Sequence, residues 1–425
     1  MNNRNQTTKI IAVLSGHVLF GRELPENYAA GTDWGDVLRE CGEQGIASVF
    51  SDEIGQIPLP AEVYQNWAMQ SIFTMRHAMQ LLAVQTELID ALDAAGVSYA
   101  VLKGYASAQY YPKAYYRMLG DIDVLIEPEH FERAMRAAQA AGFSNDAPEK
   151  SFSRHEVLHK DGIEVEMHRF FAVTEKETPE DRFLNSTLLK ALRDTHTVFV
   201  NDSGEISDEQ QGNAFRSLPD YENGTVLLQH MNQHLSEGIG YRQLFDFLVY
   251  AERCLNDAAW EGHEGKKGFR EAAAAIGLEK LAKVTVRMGQ LFFGLTESIT
   301  WCRDAEEELC DALFDYIGEK GNLGAKQSEA NSATAKALTL GRGSLLARLR
   351  YEQASGMAHW KAAGRHKILR PFAWIYGICH HIRALLKAGG LRTWRQDRDE
   401  SRKQAELLDA LGVHAETARM FLNQE

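Results

Sequence analysis

The stretch Gly120 to Ile126, Gly-Asp-Ile-Asp-Val-Leu-Ile, alternates acidic and apolar residues. Alternate side chains of an extended strand share one face of the sheet. The pattern therefore predicts a strand that directs Asp121 and Asp123 to a wet face and sends its isoleucine and valine side chains into a core. Two carboxylates are expected to lie side by side.

A second acidic strand is predicted from Ile163 to His168, Ile-Glu-Val-Glu-Met-His. The same alternation places Glu164, Glu166 and His168 on one face of that strand. The preceding Asp161-Gly162 pair favours a tight hairpin turn, because Asp-Gly suits the backbone of such turns. A third carboxylate is thus available to the first two.

Clustered carboxylates repel one another unless a cation neutralises them. Mg²⁺ is a hard cation that takes oxygen ligands from one or two carboxylates and from substrate phosphates. The acidic strands therefore indicate a site for a divalent metal and a polyphosphate. The alternatives are that Asp121 and Asp123 are solvated residues of an exposed strand, and that Glu164 is a surface partner for a nearby Lys or Arg.

A phosphate-binding turn is expected at Lys103-Gly104, after a predicted strand from Val97 to Leu102 and before a short helix that ends ahead of Pro112. Glycine lets backbone N–H groups approach a phosphate, and the start of a helix has a favourable dipole. Lys103 is placed to pair with β- or γ-phosphates. The alternative for Lys103 is a solvated charge.

The ordered set of Leu102-Lys103-Gly104, Arg117, Asp121-Ile122-Asp123 and Val165-Glu166-Met167-His168 resembles the uncharacterised nucleotidyltransferase family of the DNA polymerase β nucleotidyltransferase superfamily. The resemblance extends to flanking features over most of the chain. These include Leu24-Pro25, Asp33-Trp34, the segment Leu227 to His234, Arg370-Pro371, Trp374 and Tyr376. The chain departs from the wider superfamily where a Gly-Ser pair is replaced by Lys103-Gly104.

The resemblance implies transfer of a nucleoside monophosphate from an NTP, with two Mg²⁺ ions. The implied catalytic and metal-binding residues are Asp121, Asp123 and Glu166. Glu166 is taken as the third carboxylate because it matches the family's position for that residue. The implied nucleotide-binding residues are Lys103, Gly104 and Arg117. The alternative for Arg117 is a purely structural salt bridge. Three roles are open for His168: it orients Glu166, it binds substrate, or it is a hydrogen-bonded structural residue.

The composition limits the classes of partner. The formal net charge of −13 over 425 residues argues against nucleic acid, because a phosphate backbone is met by concentrated Lys and Arg. Five cysteines without a Cys-x-x-Cys pair fit reduced thiols. The polar start does not resemble a signal peptide, and no stretch has the length of a bilayer span. We expect a cytoplasmic protein without stable membrane insertion.

The expected fold class is α+β, a small mixed-sheet, polymerase β-like nucleotidyltransferase domain embedded in a mainly helical protein. Apolar residues at helical spacing predict one long helix from Ala61 to Ala95, and the pattern beyond about Thr178 is helical, interrupted by an acidic loop from Asn201 to Asn213. The expected divisions are an N-terminal helical segment 1–95, a catalytic core 96–178, a helical bundle 179–317, a linker or mobile loop 318–343, and a basic helical region 344–425.

Three other features have a simple structural interpretation. His230 and His234 have zinc-compatible spacing on a helix, but packing is favoured because the Glu of a metalloprotease motif is absent. Arg242 and Asp246 are four residues apart and are expected to form a helix ion pair. Residues 361–395 combine basic and apolar groups, and we expect them to pack on the acidic remainder of the chain rather than on an anionic membrane.

The leading hypothesis is a Mg²⁺-dependent nucleotidyltransferase that acts on a small molecule or a protein. A hypothesis of a different class is a regulatory protein that binds a metal and a nucleotide without turnover. Retention of all three acids favours the enzyme, because in-line displacement at phosphorus uses such acids to hold its metal ions.

Overall fold

The computed structural model describes residues 6–145, 154–172, 177–201, 204–207, 210, 212–235, 238–262 and 267–321, together with 353, 356–357, 360, 367–387 and 402–413. The chain divides into two compact units. The first comprises 1–229 and 241–304, and the second comprises 230–240 and 305–425.

A mixed seven-stranded sheet forms the centre of the first unit. Its strands are β1 (Tyr99–Leu102), β2 (Ile122–Ile126), β3 (His155–Lys160), β4 (Ile163–His168), β5 (His196–Val200), β6 (Ile206–Ser207) and β7 (Asn213–Ser217). The spatial order is β3-β4-β2-β1-β7-β5-β6. Among the strand pairs of the described residues, β1–β7 and β2–β4 are parallel and the others are antiparallel. A mixed sheet was expected, and the observed sheet is larger than the predicted core.

The predicted hairpin is confirmed in β3 and β4. Its turn uses Asp161 at φ +51° and Gly162 at φ +78°, the left-handed conformations that a tight Asp-Gly turn requires. Antiparallel pairing then runs from Lys160 opposite Ile163 to His155 opposite His168.

Thirteen α-helices have assigned bounds among the described residues. They are α1 (Gln6–Phe20), α2 (Trp34–Glu43), α3 (Ala61–Ala94), α4 (Gly104–Ala108), α5 (Phe131–Ala140), α6 (Pro179–Ala191), α7 (Asp220–Leu235), α8 (Tyr241–Cys254), α9 (Asp257–Glu261), α10 (Phe269–Ala275), α11 (Glu279–Met288), α12 (Glu307–Lys320) and α13 (Ala373–Lys387). A π-helical turn, Gly289–Phe293, follows α11.

The core of the first unit lies between one face of the sheet and the helices α3 and α5. Leu81, Leu88 and Leu92 of α3 are buried with Phe131 of α5 and with apolar residues of β1, β2 and β4. The long helix was predicted from its apolar spacing. It begins after Pro60 and ends before Gly96, which adopts a positive φ.

The prediction of helix beyond about Thr178 is wrong between His196 and Ser217. The strands β5 and β7 lie there, and β6 lies within the predicted acidic loop. The β7 strand joins the sheet through a parallel pairing of Ser217 with Val101. This long-range pairing completes the sheet with residues outside the expected catalytic core. The division into five segments otherwise stays a prediction.

The second unit contains the end of α7, the helices α12 and α13, and a helix at 402–410. Phe372, Trp374 and Ile375 near the start of α13 are exposed, although they were expected to pack, whereas Ala373 is buried. Most of the predicted linker 318–343 lies outside the described residues. In the parts of the chain that the structure describes, no helix is long and apolar enough to cross a membrane.

Candidate active site

The turn after β1 has an unusual backbone. Lys103 adopts φ +47° and Gly104 adopts φ +40°, both in a region that favours glycine. Gly104 is also close to the neighbouring strand, since a Cβ added there lies 3.8 Å from the backbone oxygen of Asp121. A non-glycine residue held in this conformation is typical of functional sites, where surrounding structure supports local strain.

Three carboxylates come together beside this turn. Antiparallel pairing sets Asp123 opposite Leu102, and parallel pairing sets it beside Glu166 on β4. One carboxylate oxygen from each of Asp121, Asp123 and Glu166 lies within 4.8 Å of the others. The structure thus brings together the three acids that the two sequence patterns indicated.

Asp123 lies at the centre of this cluster and is buried rather than on a wet face. It is 1% exposed, which corrects the expectation from strand alternation, because the strand is covered on both sides. Its Oδ1 atom lies 2.6 Å from Nζ of Lys103 and 2.9 Å from Nε2 of His168. Its Oδ2 atom is buried and has no hydrogen-bond partner among the described residues.

His168 links two of the acids. Its Nε2 atom lies 3.1 Å from Oε2 of Glu166 as well as 2.9 Å from Asp123. A ring nitrogen that faces two carboxylates must carry a proton to be stabilised there. These contacts fit both a role of His168 in orienting Glu166 and that of a hydrogen-bonded structural residue.

His155 lies beside the carboxylate cluster, and the sequence interpretation missed it. Its Nε2 atom lies 3.8 Å from Oε1 of Glu166, and its ring centroid lies 5.1 Å from that of His168. His155, Glu166 and His168 form a second group whose ligand atoms lie within 4.8 Å of one another. The sequence could have indicated this residue, because the Asp161-Gly162 turn fixes the register of the hairpin and that register places His155 opposite His168.

The charges of the cluster are strongly coupled. Burial opposes ionisation of Asp123, but the Lys103 ammonium and the His168 hydrogen bond outweigh it and hold the pKa of that carboxyl well below its usual range. Burial disfavours the Lys103 cation, but Asp123, Asp121 and Glu166 raise its pKa above the ordinary value. Burial and repulsion from Asp123 raise the pKa of Asp121.

The pKa values of the two histidines shift in opposite directions. Burial favours neutral His168, but its hydrogen bonds to Asp123 and Glu166 raise its pKa. Burial and the neighbouring His168 lower the pKa of His155 to about 4, so this ring is neutral at pH 7. Burial opposes ionisation of Glu166, but the His168 hydrogen bond outweighs it and lowers the pKa of that carboxyl.

Arg117 does not join the carboxylate cluster. Its Nε and Nη2 atoms donate to the two carboxylate oxygens of Asp246, which also accepts from the Tyr111 hydroxyl. The prediction of an ion pair between Arg242 and Asp246 is therefore wrong, because both oxygens of Asp246 accept hydrogen bonds from Arg117. Arg242 donates instead to the backbone oxygen of Met118 at 3.3 Å.

Glu164, His230 and His234 are sequence candidates that do not belong to the group of three carboxylates. Glu164 is exposed and lies opposite His159 near the hairpin turn, so it is not the third carboxylate of the group. His230 and His234 pack edge to face with ring centroids 4.9 Å apart. Within the described part of the chain, they belong to no group suited to a metal ion.

The oxygen atoms of Asp121, Asp123 and Glu166 suit a hard divalent cation such as Mg²⁺. The unpartnered Oδ2 of Asp123 supports this fit, because a buried carboxylate oxygen without a hydrogen bond is costly unless another group binds it. Lys103 and His168 neutralise part of the charge but leave that oxygen available.

Comparisons with known proteins identify a family for this chain. Neither the curated proteins nor the solved structures include a significant match to this chain. The family described as uncharacterised nucleotidyltransferase matches residues 30–294, a span that contains the whole sheet and every residue of the carboxylate cluster. The match covers more than half of the 425 residues. The chain therefore belongs to this uncharacterised nucleotidyltransferase family, and it is an enzyme of the transferase class.

Proposed function

We propose that this enzyme transfers a nucleoside monophosphate from an NTP to a hydroxyl, phosphate or carboxylate acceptor and releases pyrophosphate. The observation that carries the proposal is the buried, unpartnered Oδ2 of Asp123 within a group of three carboxylates. A polymerase β-like arrangement of the catalytic sheet is part of the proposal.

Asp121, Asp123 and Glu166 are the proposed ligands of two Mg²⁺ ions. When bound, such ions stabilise negative charge on the attacking and leaving oxygens of an in-line displacement at phosphorus. Asp123 supports this role because its low pKa keeps it ionised across the physiological range. Burial and, after it, repulsion from Asp123 raise the pKa of Asp121, and a bound cation would offset both effects.

Lys103 is proposed to bind the outer phosphates of the NTP. Its raised pKa keeps it cationic, and its ammonium lies on Asp123 in the structure. A cation that neutralises the carboxylates weakens this attraction, and the phosphates then offer Lys103 a new anionic partner. The backbone N–H groups at Gly104 are proposed to approach the same phosphates, because the positive φ turns them out of the strand direction.

Glu166 and His168 are proposed to prepare the acceptor for attack on the α-phosphorus. The acceptor oxygen forms a bond to the α-phosphorus, the bond from that phosphorus to the bridging oxygen breaks, and pyrophosphate leaves with the bonding electrons. For a hydroxyl acceptor, Glu166 helps to remove the proton. His168 keeps the Glu166 carboxylate in place through the 3.1 Å contact.

The acceptor is proposed to be a small molecule or a protein side chain, and the site of action the cytoplasm. The net charge of −13 favours these acceptors over a nucleic acid, since it repels a phosphate backbone.

The experiment is incubation of the full chain with Mg²⁺ and each NTP, ATP included, carrying a radioactive α-phosphate. The protein is first incubated alone to detect self-labelling, and then with a cell extract to find the acceptor. Label in an acceptor that is lost with EDTA or with Asp121→Asn supports the proposal. Binding of NTP without any labelled product supports the regulatory alternative instead.

A further inference from the structure

Arg242 lies against the loop that leads into the carboxylate cluster. It belongs to the first turn of α8, and its Nη1 atom donates to the backbone oxygen of Met118 at 3.3 Å. The same nitrogen lies 3.9 Å from the position of a Cβ added to Gly120, the residue before Asp121. The guanidinium group therefore borders the metal-binding acids without being one of their direct partners.

The charge of Arg242 is not balanced by a direct partner. Its Nε atom is buried and has no hydrogen-bond partner, and no carboxylate lies within 4.0 Å of its nitrogens in the part of the chain that the structure describes. Asp246, a carboxylate that interacts with Arg242 electrostatically, accepts from Arg117 through both of its oxygens. A largely buried cation without a counterion is costly, so its presence calls for an explanation.

The pKa of Arg242 also indicates that its charge is incompletely balanced. Burial and repulsion from Arg117 lower the pKa of Arg242, whereas Asp246 and Asp121 act in the opposite direction. The guanidinium group nevertheless stays protonated at neutral pH, as arginine does in proteins. Asp121 interacts electrostatically with both Lys103 and Arg242. Two cations therefore border the acid that begins the cluster.

We propose that Arg242 binds the outer phosphates of the NTP and the pyrophosphate that leaves, through its guanidinium group. The proposal rests on the proposed function, which supplies a polyphosphate at this site. A planar guanidinium presents several N–H donors in a fixed fork that matches phosphate oxygens. This assigns to Arg242 the role that sequence resemblance gave to Arg117, whose donors are taken by Asp246.

A purely structural role makes a different prediction. If Arg242 only held the Met118 backbone oxygen, its loss would disturb all ligands of the site alike. Phosphate binding instead requires that a ligand with several phosphates depend on Arg242 much more than a nucleoside monophosphate does.

The test is isothermal titration calorimetry of the full chain with inorganic tripolyphosphate and with a nucleoside monophosphate, each in Mg²⁺. We expect Arg242→Gln to weaken tripolyphosphate binding by about tenfold or more, the usual scale for a lost charge-assisted hydrogen bond, and to leave monophosphate binding near the wild-type value. Arg242→Lys is expected to restore part of the loss, because it keeps the charge without the fork.

Arg253→Gln is the matched control. Arg253 lies on the same helix and donates to the backbone oxygens of Gln109 and Tyr111, so its loss removes similar carbonyl contacts away from the acids. We expect its affinities for both ligands to equal those of the wild type. Melting curves show whether each variant is folded. If Arg242→Gln is unfolded, the test uses Arg242→Lys, and its ratio of tripolyphosphate affinity to monophosphate affinity is compared with that of the wild type.

Unchanged tripolyphosphate binding by a folded Arg242 variant overturns the inference, and so does an equal loss for both ligands. In either case wild-type turnover of NTP leaves the proposed function standing. Failure of the wild-type chain to bind tripolyphosphate or any NTP overturns both together.

Discussion

Arg117, in the loop before β2, and Asp246, on the helix α8, form a buried bidentate ion pair. The Nε atom of Arg117 lies 2.8 Å from Oδ1 of Asp246, and its Nη2 atom lies 2.9 Å from Oδ2. The two side chains are 4% and 2% exposed. Two residues 129 positions apart thus tie the loop that leads into Asp121 to a helix far along the chain. Direct contact of Arg117 with a nucleotide stays a prediction.

The first prediction concerns this pair. Arg117→Met and Asp246→Leu should each lower the free energy of unfolding by about 3 to 5 kcal/mol, because each leaves a buried charge without its partner. The double variant should lose less than the sum of the two. Urea unfolding at pH 7 measures all four corners of the cycle. Additive losses would contradict a direct interaction.

The second prediction separates the two aspartates. Asp123→Asn should lower the free energy of unfolding by about 3 kcal/mol, because it leaves Lys103 and His168 without their shared counterion. Asp121→Asn should leave stability unchanged or slightly raised, because it removes a largely buried charge that Asp123 also repels. Both variants should lose Mg²⁺-dependent turnover. Thermal melts in EDTA give the comparison, and equal stability losses would refute the assigned charge arrangement.

The third prediction concerns Lys103. Lys103→Ala should weaken NTP binding more than NMP binding, since the proposed contact is with the outer phosphates. Alanine has the same difficulty with the positive φ, so the substitution changes the charge and not the backbone preference.

Calorimetric titration of both ligands measures the ratio of affinities for Lys103→Ala. Lys283→Ala is the control, because Lys283 makes an ion pair with Asp304 outside the carboxylate cluster. Equal losses of NTP and NMP affinity in Lys103→Ala would remove Lys103 from the proposed role.

The fourth prediction concerns pH. Asp52 accepts hydrogen bonds from Lys113 and from the hydroxyls of Tyr115 and Tyr116. Partial burial opposes ionisation, but these donors outweigh it and lower the pKa of Asp52. A carboxyl with a lowered pKa in the folded state contributes stability above its unfolded pKa of about 3.9, and the contribution is lost as the pH falls through the folded pKa.

Asp52→Asn should therefore be less stable than the wild type at pH 7, by less than about 1 kcal/mol because the pair is partly exposed. The difference should shrink below about pH 4. Urea unfolding of both proteins between pH 3 and pH 7 gives the result. A difference that stays constant over that range would show that the charge of Asp52 is not responsible.

Local patterns were sufficient to predict the local structure around the candidate site where its residues lie close together in sequence. The Asp-Gly turn set the β3–β4 register, and the helix α3 was bounded by Pro60 and Gly96. Alternation correctly paired Asp121 with Asp123, but it did not reveal that Asp123 is buried, because alternation describes one strand and not what covers it.

Long-range contacts account for what the sequence interpretation missed. The strand β7 is short, and its pairing with β1 links residues more than a hundred positions apart. The partner of Asp246 was predicted four residues away on the same helix, and the observed partner, Arg117, is 129 residues away. Neither contact has a signal in the local spacing of residues.

The central claim is chemistry at the α-phosphorus by the carboxylate cluster. The most direct measurement compares transfer of radioactivity from α-labelled and γ-labelled NTP to the acceptor, with Mg²⁺, in the wild type and in Asp121→Asn. The account predicts that α-label enters the acceptor, that γ-label leaves in pyrophosphate, and that Asp121→Asn abolishes both. Transfer of γ-label to the acceptor, or full transfer of α-label by folded Asp121→Asn, would contradict it.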